Sequence, residues 1–289
     1  MRTIFSIGLD AVSYGMLLFM ISIGLSIMMG LMRVVNLAHG AFAMIGGYLA
    51  SFALQGLNLH YATAILIAVA GTVALSIPLE ILLYRRIYRK SDALTQLLLT
   101  IGITYFIIGV MNFLFGPTLK PIPLPAALSG PVDIGFRVVP ADRIFIVACG
   151  SLTALLLWYL LDRTGFGLRL RAAVDNSDMA EALGIRTEVV YSATFALAVG
   201  LAAFGGVVGA ELLPIEPFYA LRYMVMFLVV VSVGGAGSIV GALLASFLLG
   251  LADTTGKYLA PEFGEFFFYL AVILIVFLFP HGLLGRRAH

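Results

Sequence analysis

The chain has 289 residues, of which 62% are hydrophobic and 11% charged, and its mean hydropathy is +1.08. Soluble domains carry roughly 25% charged residues, so a water-exposed globule is excluded and much of this chain must face lipid. The net charge of +2 is too small to suggest a nucleic-acid partner, and one cysteine, Cys149, excludes an intrachain disulfide.

The first ten residues hold both Arg2 and Asp10 and no basic cluster. The apolar run behind them is too long for the core of a removable signal, so the first span is expected to be permanent. Charge-free runs at 11–32, 93–119, 189–210 and 223–252 each exceed the roughly 18 residues that suggest a crossing. Spans are predicted at 10–32, 40–57, 61–84, 93–115, 143–161, 189–212, 222–236, 238–254 and 263–280. The segments 40–57 and 222–236 are short and glycine-rich, and half-helices or re-entrant pieces are expected there. The expected fold is an all-α polytopic membrane protein with about eight to ten transmembrane or half-spanning helices. The chain 1–289 reads as one transmembrane domain, with pseudo-repeat halves at about 1–140 and 141–289.

Sidedness follows from basic residues. Arg33, Arg85, Arg86, Arg89, Lys90, Arg163, Arg169, Arg171, Arg186, Arg286 and Arg287 fall on one predicted side, eleven of the seventeen Lys and Arg residues. That side, with the 162–188 loop and the C-terminus, is expected to be cytoplasmic. The opposite side receives 116–142, with prolines at 117, 121, 123, 125, 131 and 140. Proline lacks the amide donor and clashes with the preceding turn, so a stiff, non-helical loop is predicted, either a docking surface or a connector.

Gly40–Phe52 (GAFAMIGGYLASF) and Gly235–Phe247 (GAGSIVGALLASF) agree at seven of thirteen positions, offset by 195. Each follows a break, Asn36–His39 before one and Ser232–Gly234 before the other. Paired interruptions in transporter halves point to a central pathway. Asn36, His39 and Gly40, with Gly234, Gly235 and Gly237, are therefore candidate pathway or gating residues. Two readings of Asn36 and His39 stay open, a pathway lining and a helix-breaking turn whose side chains satisfy freed backbone groups. Close helix packing alone also explains Gly237 with Gly241 and Gly205 with Gly209. Glu80 is expected to pair with an arginine one turn on, and Asp253 with Lys257.

The 162–188 loop carries a short amphiphilic segment. Asn176 or Ser177 is a candidate N-cap, and Asp178 and Glu181 put negative charge near a helix start. Met179, Ala180, Ala182 and Leu183 give an apolar face, and Gly184 a stop. Some two turns of helix are unstable alone and need support from elsewhere. That support is either a headgroup layer, for which Asp175, Asp178 and Glu181 are poorly suited, or a protein partner.

Four pieces occur in order: Asn36-Leu37-Ala38-His39-Gly40; the stretch RAAVDNSDMAEALGI at 171–185; Gly234-Gly235-Ala236-Gly237-Ser238-Ile239-Val240-Gly241-Ala242; and Pro280-His281-Gly282-Leu283-Leu284-Gly285-Arg286. Each alone is weak, but together, over nearly the whole chain, they resemble the LivH-type permeases of branched-chain amino acid ABC importers. The resemblance implies a bacterial inner-membrane location, a LivM-type partner permease, two ATPase subunits (LivG and LivF types) that hold ATP and magnesium, and a periplasmic substrate-binding protein. It implies that Asp175, Asn176, Ser177, Asp178, Met179, Ala180, Glu181, Ala182, Leu183, Gly184 and Ile185 form an ATPase-coupling helix. Two departures, Pro280-His281-Gly282 for Pro-Thr-Gly and Ala41 where an acid is common, leave the substrate open, and related permeases carry urea or short amides.

The chain has no P-loop, because Gly256-Lys257 is followed by Tyr258. It has no nucleophile elbow and no His-Glu-x-x-His. A catalytic residue, a metal site and a cofactor of its own are not expected. The rival classes are a self-sufficient secondary transporter or channel, with Glu80 and Asp253 as its few candidate acids, and a membrane enzyme, for which no catalytic cluster stands out.

Overall fold

The computed structural model describes residues 2–32, 34–85, 93–133, 138–279 and 282–284. Arg33, Arg86, Arg89, Lys90, Arg137, Pro280, His281, Gly285, Arg286, Arg287 and His289 lie outside the described residues, so most of the arginine clusters used for sidedness are not placed.

The chain is a bundle of helices around its first. Helix α1 (Arg2–Leu31) is followed by α2 (His39–Ser51), which widens into a π turn over Phe52–Gly56. Next come α3 (Tyr61–Leu79) with a second π turn over Glu80–Tyr84, α4 (Ala93–Phe115) and the four-residue α5 (Ala126–Ser129). A ribbon of β1 (Pro131–Asp133) and β2 (Val138–Pro140) leads into α6 (Ala141–Arg163). Then follow α7 (Gly165–Asp175), α8 (Ser177–Ala182), α9 (Thr187–Val208), α10 (Tyr219–Gly234), α11 (Ile239–Leu259) and α12 (Gly264–Leu278). Among the described residues six helices are long and apolar enough to cross a membrane, and α10 and α12 are shorter apolar helices. Large apolar side chains such as Leu66, Phe106, Phe113, Phe266 and Phe277 stand exposed, as lipid-facing rows should.

Helix α1 is enclosed by protein: its apolar window is 89% buried, against 22–50% for the other five spans. Small residues make this possible. A Cβ on Gly15 would sit 2.9 Å from the Ser246 carbonyl oxygen of α11, one on Gly24 2.5 Å from the Ala198 carbonyl oxygen of α9, and one on Gly30 2.0 Å from the Gly237 amide nitrogen. Lipid tails are as apolar as leucine, so helices associate in a bilayer by close packing and hydrogen bonds. Glycines spaced along α1 supply both the approach and the exposed backbone.

Two helices are partial. The start of α2 lies beside the middle of α1, where His39 Nε2 donates to the Ile21 carbonyl at 2.8 Å. Its far end reaches the proline-rich loop, where Ser51 and Gln55 donate to the Pro121 carbonyl at 3.2 and 2.6 Å. Before α10, Ile215 bridges Lys120 of that same loop and its side chain lies against Gly47. Helix α10 begins opposite the start of α2, with Gly40 against Ala220, and ends by the break at Gly235–Ser238, next to Gly30. The half-helix expectation for 40–57 and 222–236 thus has a structural form: one element serves each half of the bundle depth, and their N-terminal ends meet inside it.

The structure corrects three details. The proline-rich segment is not irregular throughout: it holds α5 and a two-stranded ribbon in register Pro131 to Pro140. Those prolines occupy strand ends, the sheet positions where a missing donor is tolerated. The span predicted at 189–212 runs Thr187–Val208, and the one predicted at 143–161 runs Ala141–Arg163. The loop 162–188 contains two helices rather than one.

A methyl group at Gly30 should be among the most damaging single additions, because the atoms it meets are backbone. Gly30→Ala is expected to cost about 1–3 kcal/mol and lower the thermal unfolding midpoint in detergent. Gly102→Ala, where nothing lies within 4 Å of the added carbon, should leave the midpoint unchanged.

Candidate functional site

The loop between α6 and α9 is built by caps. Thr164 Oγ1 accepts from the Phe166 amide at 3.2 Å and starts α7. Helix α7 stops at Asn176, whose backbone is extended and whose Oδ1 accepts from the Met179 amide at 3.0 Å, starting α8. Gly184, at φ +85°, ends α8. Its amide donates to the Glu181 carbonyl and the Ile185 amide to the Ala180 carbonyl, the paired bonds of a Schellman stop. Of the eleven predicted coupling residues, Asp175 closes α7, Asn176 is the cap, Ser177–Ala182 are the helix, and Leu183–Ile185 are its exit.

The orientation of α8 is the informative feature. Ala180 is buried and seats the helix on the bundle. Met179 and Leu183, one turn apart, are 58% and 75% exposed. Asp175, Asp178, Glu181 and Ala182 are exposed around them. The apolar face expected from sequence is therefore split, with one alanine inward and the two large side chains outward. Below it, Thr187 Oγ1 donates to Glu181, and Tyr191 of α9 donates to the Ala173 carbonyl of α7 at 2.7 Å. A cleft of about 440 Å³ runs along Glu181 and 184–189.

The first break, 34–38, is held from three sides. The Val34 amide donates to the Met28 carbonyl. The Val35 and Leu37 amides donate to Gln96 Oε1 and Thr100 Oγ1 of α4, each at 3.2 Å. Asn36 Oδ1 accepts from the Ala38 amide at 3.0 Å and from the Tyr84 hydroxyl at 2.9 Å. Asn36 and His39 are at most 1% exposed. Both side chains therefore serve the turn: Asn36 caps it, and His39 ties it to α1. Gly40 admits the close approach of α10 described above.

The second break is elsewhere. Gly235 and Gly237 have φ +89° and +83°, a region open to glycine and strained for other residues. The Gly237 amide donates to Ser26 Oγ at 3.1 Å, and Ser238 Oγ caps α11 by accepting from the Gly241 amide at 2.9 Å. Gly234 packs on Gly241, and the Leu283 amide donates to the Val233 carbonyl at 2.7 Å, laying residues 282–284 over the end of α10. Asn36, His39 and Gly40 are thus together inside the bundle, whereas Gly234, Gly235 and Gly237 lie at the end of α1. What joins the first group at mid-depth is the start of α10, with Tyr219 and Tyr223 in ring contact at 4.8 Å.

Sequence reasoning named Glu80 and an arginine but missed their surroundings. Glu80 is 1% exposed; Ser192 of α9 donates to it at 2.9 Å, and Arg85 Nε stands 3.6 Å away. Arg85 also donates to Ser192 and to Glu188, at 2.9 and 3.1 Å. The i, i+4 polar stripe of Gln96, Thr100 and Thr104 in an otherwise apolar helix, all three buried, was the available signal that α4 serves a buried backbone. Asp253 and Lys257 pair as expected, at 2.6 Å. Among the described residues no group of His, Cys, Asp and Glu could hold a metal ion.

Comparison with known proteins bears on this arrangement. The family model for the permease component of branched-chain amino acid transport systems matches residues 8–277. The high-affinity branched-chain amino acid transport permease LivH of Escherichia coli is 27% identical over 96% of this chain and 94% of its own length. BraD of Pseudomonas aeruginosa, a permease of the same description, is 27% identical over 92% of this chain and 91% of its own. LsrC of Salmonella paratyphi B, an autoinducer 2 import permease, is 32% identical, over 45% of this chain and 39% of its own.

Thr100→Val removes the acceptor for a buried amide while keeping shape. The unpaired Leu37 N–H should cost about 1–3 kcal/mol, read as a lower unfolding midpoint. Hydrogen exchange should speed up at 34–39 before it does in α1.

Proposed function

Because the chain belongs to the family of permease components of branched-chain amino acid transport systems, we propose that it is one membrane-spanning half of an ATP-driven importer for branched-chain or other hydrophobic amino acids. It carries no covalent chemistry. Two separate ATPase subunits of the LivG and LivF types bind ATP with magnesium, and their closure pushes on the 175–185 segment. The push alters the packing of the half-helices α2 and α10, and substrate passes where this chain meets a LivM-type permease. A periplasmic binding protein delivers the ligand on the side of the proline-rich loop. The 162–188 loop and the C-terminus face the cytoplasm of the inner membrane.

The observation that carries this reading is the outward pair Met179 and Leu183. An aqueous loop gains nothing from displaying two large apolar side chains one turn apart. A protein groove that receives them does, as an amphipathic helix uses anchors at i and i+4 to enter a partner. The surrounding acids disfavour an anionic leaflet as the cover. The family supports the amino-acid cargo, and the LsrC match over part of the chain supports a scaffold that serves more than one cargo.

Leu183→Asp should leave the subunit inserted and folded, since the side chain touches little of its own chain. It should reduce co-purification of the ATPase subunits at least about tenfold, the loss of one well-packed anchor. Undiminished ATPase recovery sinks the docking role. Ala180→Arg is a poorer probe, because it also unseats α8.

Sidedness has its own check. With Cys149 replaced by serine and the subunit expressed without its ATPases, Met179→Cys should react with an impermeant maleimide in inverted vesicles and not in intact spheroplasts. The reverse pattern would place the loop outside the cell and end this reading.

A further inference from the structure

We infer that Glu80 and Tyr84 are positioning residues that carry a displacement of the loop helix α8 into the mid-bundle break at 34–39. This deepens the coupling role proposed above and rests on it.

The argument starts from the π turn over Glu80–Tyr84. In it the Arg85 amide donates to the Glu80 carbonyl, five residues back. Such a turn is wider than an α turn, is rare, and concentrates at functional positions. Its effect here is specific. It stacks Arg85 near Glu80, a pair that α-helical spacing would hold apart. It also turns Tyr84, 2% exposed, so that its hydroxyl donates to Asn36. One turn of backbone thus presents an ionic grip to α9 on one side and a hydrogen bond to the break on the other.

The contacts then run without a gap. Helix α8 is tied to the start of α9 through Glu181 and Thr187. One turn further, α9 presents Ser192 to the Glu80 carboxylate, and Phe195 packs on the Tyr84 ring at 5.0 Å between centroids. Tyr84 holds Asn36, Asn36 holds the Ala38 amide, and the next residue, His39, is fixed to α1. Glu80, Tyr84, Phe195, Asn36, Ala38 and His39 are buried, and Ser192 is half-buried, so the inner members cannot follow a neighbour's displacement by swapping to water. A buried carboxylate that loses its partners is costly, so Glu80 stays with α9 when α9 shifts. The π turn then transmits that shift to Tyr84 because both belong to the same backbone loop. Intermediate position alone would not establish coupling. Here the wide turn is an element with a ready alternative, the α turn, in which Tyr84 and Arg85 would rotate away from their partners.

The test uses the assembled transporter, with partner permease and ATPases, in lipid nanodiscs. Hydrogen exchange is compared with and without ATP and magnesium. In the unmodified complex, nucleotide should change exchange both at 177–185 and at 34–42, each on the order of tenfold. In Tyr84→Phe and in Ser192→Ala, the change at 177–185 should persist and the change at 34–42 should disappear. Glu80→Gln should behave likewise and Glu80→Asp should recover part of the response. Should Glu80→Gln fail to insert, the other two variants carry the result. No response at 34–42 in the unmodified complex overturns the inference. So does a response at 34–42 that survives in both Tyr84→Phe and Ser192→Ala. Loss of both responses together indicates general loosening and overturns it as well. Leu183→Asp run in parallel separates the two levels. If its ATPases stay bound, the docking reading has failed; if they dissociate while Tyr84→Phe still responds at 34–42, only the positioning role has failed.

Discussion

A chain that interrupts a helix inside a bilayer must find partners for every amide it frees, because the surrounding lipid offers none. That requirement organises the centre of this molecule. Residues 34–38 leave α1 without continuing as helix, and their amides go to the Met28 carbonyl, Gln96, Thr100 and Asn36. Helix α4 therefore cannot be a purely apolar span. Its Gln96 and Thr100 are placed for the break, and the Thr100 and Thr104 hydroxyls each also donate to the carbonyl one turn back on their own helix. Satisfying the break fixes α4, and fixing α4 fixes where α2 can begin.

The second organising feature is the enclosure of α1. A span surrounded by protein needs neighbours that come close on all sides, and its glycines and serines allow that. Gly15 meets α11, Gly24 meets α9, and Gly30 meets the Gly237 turn. Two partial helices can then share the depth that one full helix would occupy, α2 toward the proline-rich loop and α10 toward the break at Gly235. Interrupted helices whose ends meet inside a bundle are where transporters concentrate movable backbone. The absence of a side chain at Gly40 lets Ala220 and the Phe227 ring of α10 come close to α2 where the two half-helices begin.

Much of this was legible in the sequence, and what was not has physical reasons. Length and charge gave the spans, since the penalty for charge in lipid acts residue by residue. The cap at Asn176 and the stop at Gly184 were readable because they depend on local backbone chemistry. Two facts stayed hidden. The division of the loop into α7 and α8 at Asn176 depends on how the Leu170 and Ala173 face of α7 is buried, a tertiary matter. The separation of the two breaks, one inside the bundle and one at its end, depends on where α10 begins, and the short apolar run at 222–236 carries no mark of depth. The matched residues 40–52 and 235–247 take different forms: the first runs along α2 into its π turn, whereas the second spans the Gly235 turn and enters α11.

Burial grades the links at the loop end, and that grading says which of them can bear force. The Arg85–Glu188 pair has a glutamate side chain 59% exposed, whereas the Glu80 side chain that faces the same arginine is 2% exposed. Exposed pairs contribute about 0–1 kcal/mol and yield to water or salt. Glu80 is held to α9 instead by Ser192, which donates to its carboxylate at 2.9 Å, and a buried carboxylate stripped of its partners is costly. A pull on α9 therefore breaks the Arg85–Glu188 pair first and leaves the Ser192–Glu80 hydrogen bond engaged. Lateral slack is available at the surface, where Glu188 can let go, while the connection in the interior is stiff. Such a gradient suits a part that must accept a partner arriving at varied angles yet deliver one defined displacement to the backbone inside.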